Sequence, residues 1–177
     1  METLKIVVSG PVGAGKTTLI RTLSETEVVE TDVTATEAIG KEQTTVAMDY
    51  GSLRLEDHTL YLFGMPGQER FDFMWELLLE GSLGMIMLVR GDKPQDFVQA
   101  RRQLEYLVSR RDIPFVIGVT RQDVQPVWAP NEVAAFLGLP EERTIGLVAT
   151  EAKSALVPLL RLLEIVVSGE KPLSRSG

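Results

Sequence analysis

The sequence has no cysteine. That excludes disulfides, thiolate metal sites, cysteine nucleophiles and prenyl or palmitoyl attachment. Basic charge is also short: 18 Lys and Arg stand against 25 Asp and Glu, a formal net charge of −7. Phosphate backbones need a basic face, so a nucleic acid is excluded as the main partner. No apolar run is long enough to cross a bilayer, and nothing matches a signal peptide. Residue 2 is Glu rather than the Gly that myristoylation needs. These absences lead to the expectation of a cytoplasmic protein with no direct membrane anchor. There is one histidine, His58, in a predicted turn, where it reads as a solvated residue rather than a catalytic one. What remains is ordinary for a globular chain: 177 residues, of which 44% are hydrophobic. The expectation is one domain over 1–177, with an ordered core at 4–167 and a flexible tail at 168–177.

The most informative stretch is Gly10-Pro11-Val12-Gly13-Ala14-Gly15-Lys16-Thr17, which fits G-x-x-x-x-G-K-[ST]. Glycines let such a loop fold back so that successive backbone N–H groups point inward. The helix that follows adds its positive end, and the two together cage phosphate. In this pattern Lys16 reaches the β- and γ-phosphates, Thr17 binds Mg²⁺, and Thr18 opens the helix proper. An apolar run at residues 4–9 supplies a strand before the loop, and residues 18–23 read as a helix after it.

Further along, strand and helix signals alternate, as in an α/β fold with a mostly parallel sheet. Residues 26–44 are rich in Thr and Glu and read as a long exposed loop. Residues 45–55 and 59–63 read as two antiparallel strands around a turn at Glu56-Asp57-His58. Residues 71–80 read as a helix. The run 83–89 reads as a central strand buried on both faces. A helix follows whose buried stripe is Phe97, Ala100, Leu104, Leu107 and Val108, with Arg101, Arg102, Arg110 and Arg111 on its wet side. Strands are expected at 115–119 and 144–149, with Asn131 capping a short helix between them. The last helix is expected at 153–167, with Leu156, Leu159, Leu160, Leu163 and Val167 facing inward. The fold class is therefore a three-layer α/β sandwich: about six strands, mostly parallel with one antiparallel, and helices on both faces.

Four more segments follow in a telling order: Thr44-Thr45, Pro66-Gly67-Gln68-Glu69, Thr120-Arg121-Gln122-Asp123 and Glu151-Ala152-Lys153. With the phosphate loop they resemble the small GTPases of the Ras superfamily, over residues 4–167. Within that superfamily the chain is most similar to the bacterial branch that pairs with Roadblock-type regulators. The resemblance implies a GTP/GDP switch that uses Mg²⁺ and hydrolyses GTP slowly, with switch regions at about 26–45 and 64–75. It implies that Thr45 (or its neighbour Thr44) binds Mg²⁺ and senses the γ-phosphate. It also implies that the Gly67 N–H touches that phosphate and that Gln68 orients the attacking water. At the base, Asp123 would accept two hydrogen bonds from guanine, Arg121 would lay its stem on the ring, and the Ala152 N–H, beside Lys153, would donate to O6. A monomer with a Roadblock-type activating or effector partner is expected.

The family pattern is broken in three places. Thr120 stands where Asn is usual. Val12 stands where Ras-like loops commonly have glycine, which implies slow turnover or an activator that works without a trans arginine. Gly64 stands where the family has the aspartate that supports Mg²⁺. If the hairpin is centred between Glu56 and Asp57, Gly64 lies opposite Asp49, and a facing carboxylate could replace the missing one. A slip of one residue would turn Asp49 away. Two other readings remain: a GTP/GDP-binding scaffold with negligible hydrolysis, and a P-loop nucleotide or small-molecule kinase, for which no arginine-rich lid is evident.

Overall fold

An apolar strand, β1 (Glu2–Ser9), runs down the middle of the sheet. The computed structural model describes residues 2–26, 28–36, 43–68 and 72–170. The other strands are β2 (Val29–Thr36), β3 (Gln43–Leu55), β4 (His58–Gly64), β5 (Gly84–Arg90), β6 (Phe115–Thr120) and β7 (Thr144–Gly146). The helices are α1 (Lys16–Leu23), α2 (Asp72–Leu79), α3 (Phe97–Arg110), α4 (Pro130–Leu137) and α5 (Ala152–Ser168). The sheet order is β2-β3-β4-β1-β5-β6-β7. Only β3 runs against the rest, paired antiparallel with β2 on one side and β4 on the other.

Alternation along β1 explains the layering. Ile6 and Val8 face one core with Leu19 and Ile20 of α1 and Leu159, Leu162 and Ile165 of α5. Val7 faces the other core with Met74 and Trp75 of α2 and Phe97 and Leu104 of α3. A strand covered on both faces needs apolar residues throughout, which is why β1, β5 and β6 have uninterrupted apolar runs. All six residues of β6 are buried.

Four local expectations are corrected. Residues 29–36, expected as loop, form β2, which makes the sheet seven-stranded. An edge strand need not be strongly apolar, and the three threonines, Glu30 and Asp32 of this one left only a weak apolar signal. Strand β7 ends at Gly146 rather than at residue 149. Helix α4 begins at Pro130, and the cap falls on Ala129, whose N–H donates to Glu132 Oε1 at 3.0 Å, rather than on Asn131. Finally, α5 buries Ala155, Pro158, Leu159, Leu162 and Ile165, while Leu160 and Val167 are 51% and 87% exposed. That helix is apolar nearly all round, so its inward face could not be told from period alone. Its C-terminus is tied down beyond the expected core: Glu170 pairs with buried Arg143 at 3.3 Å and with Arg161 at 3.6 Å.

Candidate nucleotide site

The site lies where the central strands end. The chain leaves β1 at Ser9 and turns through Gly10, Gly13 and Gly15, which have φ of +139°, +79° and +108°. Those conformations strain any L side chain, and a Cβ at Gly10 would also collide with the Leu88 carbonyl. Within the loop, the Ala14 N–H donates to the Pro11 carbonyl at 3.1 Å. Helix α1 then starts at Lys16, so the N–H groups of its first turn have no carbonyl of their own helix to meet. This is the geometry of an anion cradle.

Lys16 folds back over the loop, donating to the carbonyls of Gly10 at 2.7 Å and Pro11 at 2.8 Å. Burial pushes its ammonium down to about 8, against the opposing pull of the Asp49 carboxylate. The Thr17 hydroxyl donates to Asp49 Oδ2, across from α1 to β3. Val12 is on the rim and 55% exposed.

The segment after β4 closes against the loop. Gly67 is buried, and a Cβ there would lie 2.6 Å from the Gly10 carbonyl oxygen and 2.7 Å from the Val12 nitrogen. Backbone cannot yield to such an approach, so only glycine fits. The segment is held from outside by side chains that sequence reasoning did not single out. Trp75 Nε1 donates to the Pro66 carbonyl at 2.8 Å, and Gln99 Nε2 approaches the Gly67 carbonyl at 3.4 Å. Gln68 is exposed beside it. Of the expected switch region 64–75, residues 69–71 lie outside the described residues. Of the region 26–45, residues 27 and 37–42 do so. The backbones of Thr44 and Thr45 lie in β3 opposite Ala35 and Thr34; their side chains are outside the description.

A cavity of about 160 Å³ continues from the loop, lined by Ala14, Gly15, Thr18, Thr120, Arg121, Asp123 and residues 148–150. Thr120, in place of the usual asparagine, keeps a tie to the loop: its hydroxyl donates to the Ala14 carbonyl at 3.2 Å. Arg121 has φ +64°, a left-handed turn that starts the 121–123 corner. The third wall corrects an expectation. Ala152 and Lys153 do not line this cavity; they are exposed on the first turn of α5, and Ala152 borders a separate depression with Leu23 and Leu55. Val148, Ala149 and Thr150 take that place. Two side chains hold them: the Thr22 hydroxyl donates to the Ala149 carbonyl at 2.6 Å, and the Val148 N–H donates to Ser154 Oγ at 2.8 Å. No local signal marks this stretch: the bonds that hold it run to Thr22 of α1 and to Ser154, inside α5.

Among the described residues, no three His, Cys, Asp or Glu gather as a metal site. A metal here would be held by hard oxygens, with phosphate completing the shell. The paired Thr17 hydroxyl and Asp49 carboxylate fit Mg²⁺ in that respect.

Comparison with known proteins bears on the family and the fold. Residues 25–166 match the family described as conserved hypothetical ATP binding protein. The chain belongs to that family. It is 32% identical over 126 residues to an uncharacterized protein of Methanocaldococcus jannaschii, covering 70% of this chain and 73% of that one. It is 29% identical over 137 residues to the small COPII coat GTPase SAR1 of Giardia intestinalis, covering 76% of this chain and 66% of that protein. The crystal structure of the G domain of the T. maritima FeoB iron transporter superposes with a TM-score of 0.62 at 18% identity, over 94% of this chain and 98% of that one. The chain is thus a P-loop nucleotide-binding domain with a G-domain fold. Among the described residues no helix is long and apolar enough to cross a membrane.

Proposed function

We propose that this chain is a GTP-selective molecular switch that hydrolyses GTP slowly to GDP and phosphate. The observation that carries the reading is one cavity joining the phosphate loop to Asp123 and the 148–150 backbone. Guanine offers two donors on one edge, N1–H and N2–H₂, and a carboxylate accepts both. Adenine offers an acceptor at N1 and would leave the Asp123 charge facing a lone pair. The Ala149 N–H, rather than that of Ala152, donates to O6, and the stem of Arg121 covers the ring.

At the other end, Lys16 leaves its loop carbonyls for the β- and γ-phosphates. Thr17 and Thr45 (or Thr44) would hold a Mg²⁺, which would supply positive charge beside the phosphates. Gln68 orients a water for attack on the γ-phosphorus; the bond from that phosphorus to the β,γ-bridging oxygen breaks. Loss of the γ-phosphate then frees the 26–45 and 64–75 segments to change shape. A monomer with a Roadblock-type regulator is part of the reading, on resemblance.

The family description names ATP, and the similarity to SAR1 favours GTP. A direct test is binding of GTP against ATP with and without Mg²⁺, followed in the same sample by phosphate release over hours. GTP-selective, Mg²⁺-dependent binding with slow release is expected. Preference for ATP would sink the role given to Asp123, and tight GTP binding with no release would favour a scaffold.

A further inference from the structure

Gly64 closes β4 at a position where a metal-supporting acid would be expected, and its neighbour across the ladder is acidic. Strands β3 and β4 pair Leu55 with His58, Leu53 with Leu60 and Tyr50 with Phe63. One more step in that register sets Asp49 against Gly64. The two share a face: a Cβ built on Gly64 would lie 3.4 Å from the Asp49 Cβ. That face is turned toward α1, since the same Cβ would be 3.2 Å from Ile20 Cδ1. From there the Asp49 carboxylate reaches the phosphate loop and accepts the Thr17 hydroxyl.

We propose that Asp49 is the carboxylate that supports Mg²⁺ in this protein, moved from β4 to the facing position on β3, with Gly64 leaving the space it reaches through. The inference rests on the nucleotide reading above but not on the choice of GTP over ATP. Two observations converge on it: the register and the bond to Thr17. A hydroxyl and a carboxylate in contact are two hard oxygen donors. With phosphate oxygens and water they make the kind of shell Mg²⁺ prefers. A carboxylate that orients a ligand hydroxyl also governs how firmly that ligand holds its metal.

A bland alternative gives Asp49 only the task of bracing Thr17. Substitution by asparagine separates the two, because an amide oxygen still accepts the hydroxyl proton but brings no charge. The exchange of positions gives a second test. An aspartate at residue 64 needs Ile20 to give by only a few tenths of an ångström, at the flexible tip of its side chain.

The experiment measures release of a fluorescent nucleotide, whichever the wild type binds, in Mg²⁺ and in EDTA. Mn²⁺ binding to the nucleotide complex is followed in parallel by electron paramagnetic resonance. Thermal unfolding of each variant confirms that it is folded. In wild type, Mg²⁺ should slow release. In Asp49→Asn, that slowing and the Mn²⁺ affinity should fall roughly 10–100-fold. The double variant Asp49→Ala/Gly64→Asp should recover most of both. A wild-type Mg²⁺ effect that persists in Asp49→Asn overturns the proposal and leaves the nucleotide reading standing. A folded double variant that regains neither quantity also overturns it, because residue 64 is then not the vacated position of the carboxylate. No Mg²⁺ effect in wild type overturns this proposal and the metal-assisted reading together.

Discussion

The two halves of the nucleotide site are built in different ways. The phosphate cradle is a single stretch, residues 10–18, whose turns are set by its own glycines and whose helix starts within it. The base half is assembled from pieces far apart in sequence: residues 120–123 at the end of β6 and residues 148–150 after β7, the latter held by Thr22 of α1 and Ser154 of α5. Local chemistry suffices to form the first. The second exists only once the sheet and both flanking helices are packed. A site of the first kind tolerates distant change and fails at a single residue. A site of the second kind can be weakened from several directions, each by less.

That contrast can be tested by substitution. The largest effect should come from Lys16→Ala, which removes charge-assisted bonds to phosphate; nucleotide affinity measured by calorimetry should fall on the order of 100-fold or more. Equal loss for GTP and ATP would mark the defect as belonging to the phosphate half. Next, Asp123→Asn should cost GTP affinity roughly 10–100-fold while leaving ATP affinity nearly unchanged. A change in both nucleotides alike would show that the halves are not separable. Smaller still is the paired test of the base loop. Ala149→Pro deletes one donor and should weaken GTP binding about tenfold. Ala152→Pro lies at the first position of α5, where proline is tolerated, and should change binding by less than about twofold. The opposite order would restore Ala152 to the site. A several-fold effect is expected at the rim: Val12→Gly should raise single-turnover hydrolysis by that much, and an unchanged rate with and without an activator would remove the role given to that side chain.

The same contrast explains what could be read from the sequence. Gly10 to Thr17 is a local pattern with a local mechanism, and the loop it makes is the one in the structure. The β3–β4 register was also legible, because a tight turn at Glu56-Asp57 fixes which residues face each other, and the observed pairs keep that count. Residues 29–36 were not legible as a strand. At the sheet edge a strand is held by backbone bonds to β3, and its alternation is weak: Val29, Val33 and Ala35 share a period of two with Thr31 among them, against Glu30, Asp32, Thr34 and Thr36. Ala152 was misplaced because an Ala-Lys pair beside a helix start looks like the base loop. The bonds that mark Val148 and Ala149 instead run to Thr22 and Ser154, and the Thr22 bond spans 127 residues of chain. The inward face of α5 was misjudged because Leu160 and Val167 are as apolar as the residues that are buried.

The position of β1 in the sheet has a consequence for how the molecule breathes. Its amides are bonded between β4 and β5, and both faces are covered, so they open only when the whole domain does. Strand β2 has a neighbour on one side only. Hydrogen exchange should therefore run as a gradient across the sheet, fast at β2 and slowest at β1, β5 and β6. The phosphate loop hangs from the slow end of that gradient. The nucleotide is thus gripped by the part of the chain that unfolds last, while the long hairpin beside it is free to respond on a faster clock.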